Sequence, residues 1–140
     1  MKIVYKKINQ ENVITVNTML SKYISSFKLK KDFNSIYKKL TLQKNNISII
    51  ACSKKKAIGY ASINFNISIR GGVRGYINDV VVEKEYRKKG IGKSLINILL
   101  KYAKKKKCFK IILESKKKNF NFYRSCGYKL NSFTMRKLIK

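Results

Sequence analysis

The sequence predicts a mixed α/β (α+β) domain, a sheet covered by helices, on three observations. Its 140 residues are 44% apolar, with the apolar positions spread along the whole chain, which is enough for one continuous core. Period-two and helical stretches alternate in the order β-α-α-β-β-β-α-β-α-β, the pattern of a mixed sheet with helices on its faces. Neither an internal repeat nor a candidate linker divides the chain, so residues 1–140 read as a single domain.

The first strand is expected over Lys2 to Ile8, where Ile3, Tyr5 and Ile8 intersperse with Lys. From about Glu11 to Phe27, Val13, Val16, Leu20, Tyr23, Ile24 and Phe27 fall at helical spacing, with Asn9 as the candidate cap. A second, shorter helix is expected from Asp32 to Leu42 on Phe33, Ile36, Tyr37 and Leu40. Ile47 to Cys52 and Ala57 to Ile69 are β-rich runs joined by Ser53-Lys54-Lys55-Lys56, a polar connection suited to a hairpin. Arg70-Gly71-Gly72-Val73-Arg74-Gly75 reads as a flexible turn before a strand from Tyr76 to Val82. Ile91, Leu95, Ile98, Leu99 and Tyr102 give the helix from Ile91 to Ala103 a broad apolar face. Phe109 to Leu113 is a buried strand, Asn119 to Ser125 a short helix ended by Gly127, and Tyr128 to Leu138 the final strand.

Charge and composition restrict the function classes. The formal charge is +28, and of the 34 basic residues 29 are Lys and five are Arg. Clustered Lys and Arg bind phosphate backbones, so a basic RNA-binding module is one reading. Abundant Ile and Asn beside the Lys excess fit an AT-rich coding sequence instead, and neither an aromatic RNA-binding pattern nor a zinc-knuckle spacing is present. The positive field also attracts small anionic ligands. Cys52, Cys108 and Cys126 have no CxxC spacing, and the chain contains no His to complete a metal site, so no metal is expected. A reducing, cytoplasmic setting follows, with no signal-like apolar segment and no stretch of membrane-spanning length.

The most informative stretch runs from Asp79 through Val80, Val81 and Val82 to Arg87-Lys88-Lys89-Gly90-Ile91-Gly92-Lys93. A strand ends, a basic loop with two glycines follows, and a helix opens. Glycines admit close backbone approach, and the first amides of a helix lack intrahelical partners, so the arrangement suits phosphate. A glycine-containing first turn that binds nothing is the plain structural reading. Gly92-Lys93-Ser94 imitates the end of a nucleotide P-loop, but Arg87 occupies the position of the earlier glycine. Leu95 stands where a dinucleotide fingerprint needs its third glycine, so that motif fails too.

Arg87-x-x-Gly90-x-Gly92 after a strand resembles the acetyl-CoA pyrophosphate loop of the GNAT superfamily, which implies the GNAT fold. Ile77 to Val82, Cys108 to Glu114 and Asn119 to Tyr128 together resemble glucosamine 6-phosphate N-acetyltransferases, over about Tyr76 to Met135. The first 70 residues match in pattern only. The resemblance implies acetylation of an amino-sugar phosphate by direct attack of its amine on the thioester, in UDP-N-acetylglucosamine biosynthesis. With no His, a covalent Cys-His relay has little support.

The resemblance also assigns site residues. Val80, Val81, Val82, Arg87, Lys88, Lys89, Gly90, Ile91, Gly92, Lys93, Asn119 and Tyr123 become cofactor-binding candidates for acetyl-CoA. Asp79, Glu114 and Tyr123 become catalytic candidates, the Tyr as a phenol that protonates the departing thiolate. Asn78, Asp79 and Glu114 are implied to contact the sugar, although Asn78 departs from the acidic residue usual there. Arg136 and Lys137 stand in for a basic position now occupied by Leu138, and the resembling enzymes are homodimers with acceptor sites at the subunit interface. The plain alternatives are an Asp paired with Lys at a strand edge, a Glu capping a turn, and a Tyr packed in the core. A GNAT enzyme acting on a protein amine or another small amine is the rival within the same fold.

Overall fold

The computed structural model describes residues 1–24 and 33–139. Five strands, β1 (Val4–Lys7), β2 (Asn46–Ser53), β3 (Lys56–Ile67), β4 (Val73–Val82) and β5 (Cys108–Leu113), form one sheet in that order. The first four pair antiparallel, and β5 joins β4 in parallel. A parallel neighbour requires a crossover. That crossover is α3 (Ile91–Lys105), while α1 (Val13–Tyr23) and α2 (Phe33–Leu42) lie between β1 and β2, and α4 (Phe120–Ser125) follows β5.

Burial on both faces explains why β2 and β3 read as nearly unbroken apolar runs. Ile49 and Ala51 face α3, meeting Ile91, Leu95, Leu99 and Ala103. Their neighbours Ile50 and Cys52 face the other way, meeting Val16 and Met19 of α1 with Ala57 and Tyr60. Leu95 and Leu99 are fully buried, each stabilising the fold by about 1.5–3 kcal/mol. Gly59 sets how closely α3 lies on the sheet: a Cβ there would stand 3.2 Å from both Ile91 Cγ2 and Leu95 Cδ1. Because Gly59 pairs with Val82, that close approach brings the start of α3 beside the end of β4.

The elements agree with the sequence reading except at their ends, at β5, where no residue is buried and Phe109 is exposed, and at the C-terminus. Residues 25–32, including the expected end of the first helix and the start of the second, lie outside the described residues. Asn12 rather than Asn9 stands at the N-cap of α1, and the two exchange hydrogen bonds, each backbone N–H donating to the other's Oδ1 at 2.9 and 3.1 Å. The β2–β3 turn has Lys54 and Lys55 at φ 47° and 64°, the left-handed pair that a tight hairpin requires. β4 begins at Val73, so much of the expected flexible turn is strand. The final strand over Tyr128 to Leu138 is a correction: these residues form no regular structure. Tyr128 still packs against the core, but Phe133 and Met135 are 94% and 97% exposed. A strand needs a ladder of partners, and among the described residues none pairs with this segment.

Candidate active site

The site begins where β4 and β5 part. Their pairing runs from Val73 opposite Cys108 to Ile77 opposite Leu113, and there it stops. β4 continues through Asn78 to Val82, while the chain after Leu113 turns away into a short 3-10 turn, Lys117–Asn119, and then α4. On its other side β4 remains paired, Val80 with Ala61, Val81 with Tyr60 and Val82 with Gly59. The segment Asn78–Val82 therefore offers one free strand edge, whose N–H and C=O groups can accept an extended ligand as a strand would. At the head of this edge the register shifts, so that Asn78 and Asp79 together oppose Ser62. A bulge of this kind re-aims side chains.

Asp79 is part-buried and has no hydrogen bond or ion pair among the described residues. Burial raises its carboxyl above the ordinary aspartate value. Burial also raises the Tyr123 phenol, with smaller contributions from Cys126 and from the Asp79 charge. Tyr60 is raised by burial first, lowered by hydrogen bonds with Ser48 and Ser62, and raised by Asp79. Both phenols thus feel the Asp79 carboxylate. Phe122 and Tyr128 hold Tyr123 edge-on, with ring centroids 5.0 and 6.1 Å away.

Beyond Val82 the chain makes a 3-10 turn, Lys84–Tyr86, and then the basic loop. Lys88 and Gly90 take left-handed backbone at φ 59° and 79°, bending the loop so that α3 opens on Gly90 as N-cap. No side chain caps the helix and no acid lies in its first turn. Its first amides therefore remain free to bind an anion, beside Arg87, Lys88, Lys89 and Lys93. Gly92 lines this cradle. A Cβ on it would stand 3.0 Å from Phe122 Cζ, so a side chain there would fill the space between loop and α4. These features fit a phosphate-bearing cofactor whose extended arm runs along the free edge of β4.

A profile of the acetyltransferase (GNAT) family matches residues 15–128, most of the chain. The chain belongs to the GNAT family. A glucosamine 6-phosphate N-acetyltransferase of Trypanosoma brucei brucei is 37% identical over 83 residues, 58% of this chain and 56% of that protein. The match thus spans little more than half the length of that relative. One from Schizosaccharomyces pombe is 30% identical over 111 residues, 78% of this chain and 94% of that protein. The crystal structure of a Trypanosoma brucei acetyltransferase has the same fold, with a TM-score of 0.89 at 24% identity, covering 99% of this chain and 100% of that one.

Within this GNAT domain, most of the expected residues gather around the opening. Asn78, Asp79, Val80, Val81 and Val82 lie on the free edge, and Arg87 through Lys93 form the loop and first turn of α3. Tyr123 lies on α4 between Phe122 and Tyr128, and Asn119 starts that helix as its N-cap. Glu114 is exposed just past the end of β5, with no ion pair to Lys116, Lys117 or Lys118 among the described residues. Arg136 and Lys137 sit on the exposed C-terminal segment, and neither forms an ion pair among the described residues. No described helix is long and apolar enough to cross a membrane. The residues that sequence reasoning missed are Lys22, Tyr23 and Glu83, which meet behind the loop. One signal pointed to them: Glu83 is an acid, rare in this chain, at the junction of strand and loop.

Proposed function

We propose that this chain transfers the acetyl group of acetyl-CoA to the amine of D-glucosamine 6-phosphate, giving N-acetyl-D-glucosamine 6-phosphate for UDP-N-acetylglucosamine synthesis. The observation that carries the reading is the parting of β4 from β5 at Ile77 and Leu113, which leaves a free edge starting at Asp79 and leading into the uncapped end of α3. Sequence relatives named for this activity support the choice of acceptor.

In this reading the loop amides and Arg87, Lys88, Lys89 and Lys93 hold the pyrophosphate, and acetyl-CoA supplies the activated acyl group. Asp79, lacking a protein cation, receives the charged amino group of the sugar and holds it at the head of the cleft. Asn78 and Glu114 bind sugar hydroxyls. The ammonium first releases one proton to solvent, which frees the nitrogen lone pair. As the new N–C bond then forms and the C–S bond breaks, the nitrogen releases its second proton to solvent and the leaving thiolate gains one. Tyr123 supplies the latter, since its raised pKa keeps the phenol protonated throughout the neutral range. Holding the two reactants together provides most of the remaining acceleration.

The enzyme is a homodimer in this proposal. Phe109 on β5 and Leu130, Phe133, Met135, Leu138 and Ile139 after it are all exposed, an apolar set suited to burial against a second copy. Arg136 and Lys137 would then bring positive charge to the partner's sugar phosphate. The experiment that tests the function is acetyl-CoA turnover with glucosamine 6-phosphate, glucosamine, other amino-sugar phosphates and Lys peptides. Glucosamine 6-phosphate should have the highest kcat/KM, and preference for a peptide would reassign the acceptor.

A further inference from the structure

The cofactor loop is tied from behind by the end of α1, 61 residues earlier in sequence. Glu83, the residue joining β4 to the loop, is 4% exposed and donates its backbone N–H to Ile58 O at 2.9 Å. Its carboxylate accepts from Tyr23 Oη at 2.7 Å and from Lys22 Nζ at 2.9 Å. Burial alone would raise the Glu83 carboxyl. The two hydrogen bonds and the Lys22 and Lys56 charges outweigh it, so the group stays ionised below the ordinary glutamate range. The Tyr23 oxygen accepts in turn from the Lys84 N–H at 3.0 Å, the first amide of the 3-10 turn. The Tyr23 ring lies under the Arg87 guanidinium at 4.9 Å, and Arg87 Nε donates to Val82 O at 2.9 Å.

One side chain of α1 therefore fixes three things at once: the acid at the loop's root, the amide that starts its first turn, and the direction of its arginine. We infer that Tyr23 and Glu83 are positioning residues for the cofactor loop, holding Arg87 and the turn at Lys84–Tyr86 in the form that receives the pyrophosphate of CoA. This rests on the acetyl-CoA reading above. Neither residue touches the cofactor; both act through Arg87 and the loop backbone. A bidentate or stacked Arg pre-oriented by a ring loses less freedom when it meets phosphate than one free in solvent. The inference also gives α1, which lies far in sequence from the loop motif, a defined task in the reaction.

The test is CoA binding by isothermal titration, with acetyl-CoA and acceptor kinetics alongside, for wild type, Tyr23→Phe, Tyr23→Leu, Glu83→Gln and Val16→Ala. Tyr23→Phe keeps the ring under Arg87 but removes the hydroxyl between Glu83 and Lys84. It should weaken CoA binding by about tenfold, the scale of one hydrogen bond to a charged group, and raise KM for acetyl-CoA with kcat little changed. Tyr23→Leu removes the ring as well and should weaken binding further, and the added loss should vanish in an Arg87→Ala background. Val16→Ala, in the buried face of the same helix, lowers stability without touching the loop and should leave CoA affinity unchanged. Wild-type affinity in Tyr23→Phe and Glu83→Gln, or an equal loss in Val16→Ala, would overturn the positioning role. Failure of the wild type itself to bind CoA would instead bring down the cofactor assignment, and this inference with it.

Discussion

Replacing Gly92 by Ala tests the cofactor cradle with the smallest possible perturbation. The added Cβ would stand 3.0 Å from Phe122 Cζ and 3.3 Å from Cε2, so the ring must yield. Phe122 is 37% exposed and has room to move, at the cost of its edge-on contact with Tyr123, about 0.5–1.5 kcal/mol. Against this, Ala in place of Gly within a helix gains up to about 1 kcal/mol. The two nearly cancel, so the ligand-free variant should melt within about 3 °C of wild type, since a chain of 140 residues unfolds with an entropy of about 0.29 kcal/mol/K. Val at this position would add methyl groups toward Val82, 3.7 Å from the new Cβ, and blur the distinction between misfolding and lost binding.

The bound state responds differently. With CoA at a hundred times its Kd, wild type gains about 2.7 kcal/mol, a rise in Tm of roughly 9 °C. Losing one backbone-amide hydrogen bond to a charged phosphate oxygen costs about 1.5–3 kcal/mol, roughly 13- to 160-fold in affinity. At the same CoA concentration the variant would then retain about 0.3–1.3 kcal/mol of stabilisation, a rise of only about 1–4 °C. Differential scanning calorimetry of both proteins with and without CoA measures all four values. Equal CoA-induced shifts would refute the placement of pyrophosphate at Gly92, and a large drop in the ligand-free Tm would refute the accounting for Phe122.

Three further outcomes follow from the geometry. Tyr123→Phe should lower kcat by about 10²- to 10⁴-fold with CoA affinity preserved, and wild-type turnover would remove the phenol from the chemistry. For Asp79→Asn, thermal melts at several pH values are informative. The folded pKa of Asp79 is raised, so its contribution is fully present below the ordinary value of 3.8 and is lost as pH rises through the folded pKa. The variant should therefore melt above wild type at pH 7, converge with it near pH 3, and lose turnover of the sugar; a variant less stable at pH 7 would contradict the buried, unpaired carboxylate. Removing residues 130–139 should convert a sedimenting dimer to a monomer that still binds CoA but acetylates glucosamine 6-phosphate poorly. A full-length monomer with full activity would defeat the shared site.

What the sequence revealed tracks how local each determinant is. The loop from Arg87 to Lys93 was legible because Gly90 and Gly92 mark a backbone need that few other residues meet, and α3 because its apolar face repeats over four turns. The parting of β4 and β5 was not legible. It depends on where pairing stops at Leu113, and strand spacing alone does not encode register. The final strand failed for a related reason: Phe133, Met135 and Leu138 are apolar and spaced as a strand would be, but periodicity names a face without supplying a partner. The tie from Tyr23 to Glu83 was invisible because Tyr23 fits a helical apolar stripe equally well, and only its hydroxyl distinguishes its role.

Charge balance separates the two acids that border the loop. In a chain with 34 basic and six acidic residues, the buried Glu83 is matched by a lysine, with Lys22 at 2.9 Å. Asp79 lies only four positions earlier, on β4, yet no cation meets it among the described residues. Its place at the bulge, between paired β3 and the opening toward α4, removes it from the flexible lysines at the surface. A carboxylate left part-buried and unpaired costs stability, so its surroundings favour the arrival of a positive group from outside the chain. An amino sugar entering as its ammonium form would supply that group at the head of the cleft, where Tyr123 is proposed to protonate the leaving thiolate. In the proposed reaction Glu83 would hold the cofactor loop with a charge already satisfied, and Asp79 would hold the acceptor with one that is not.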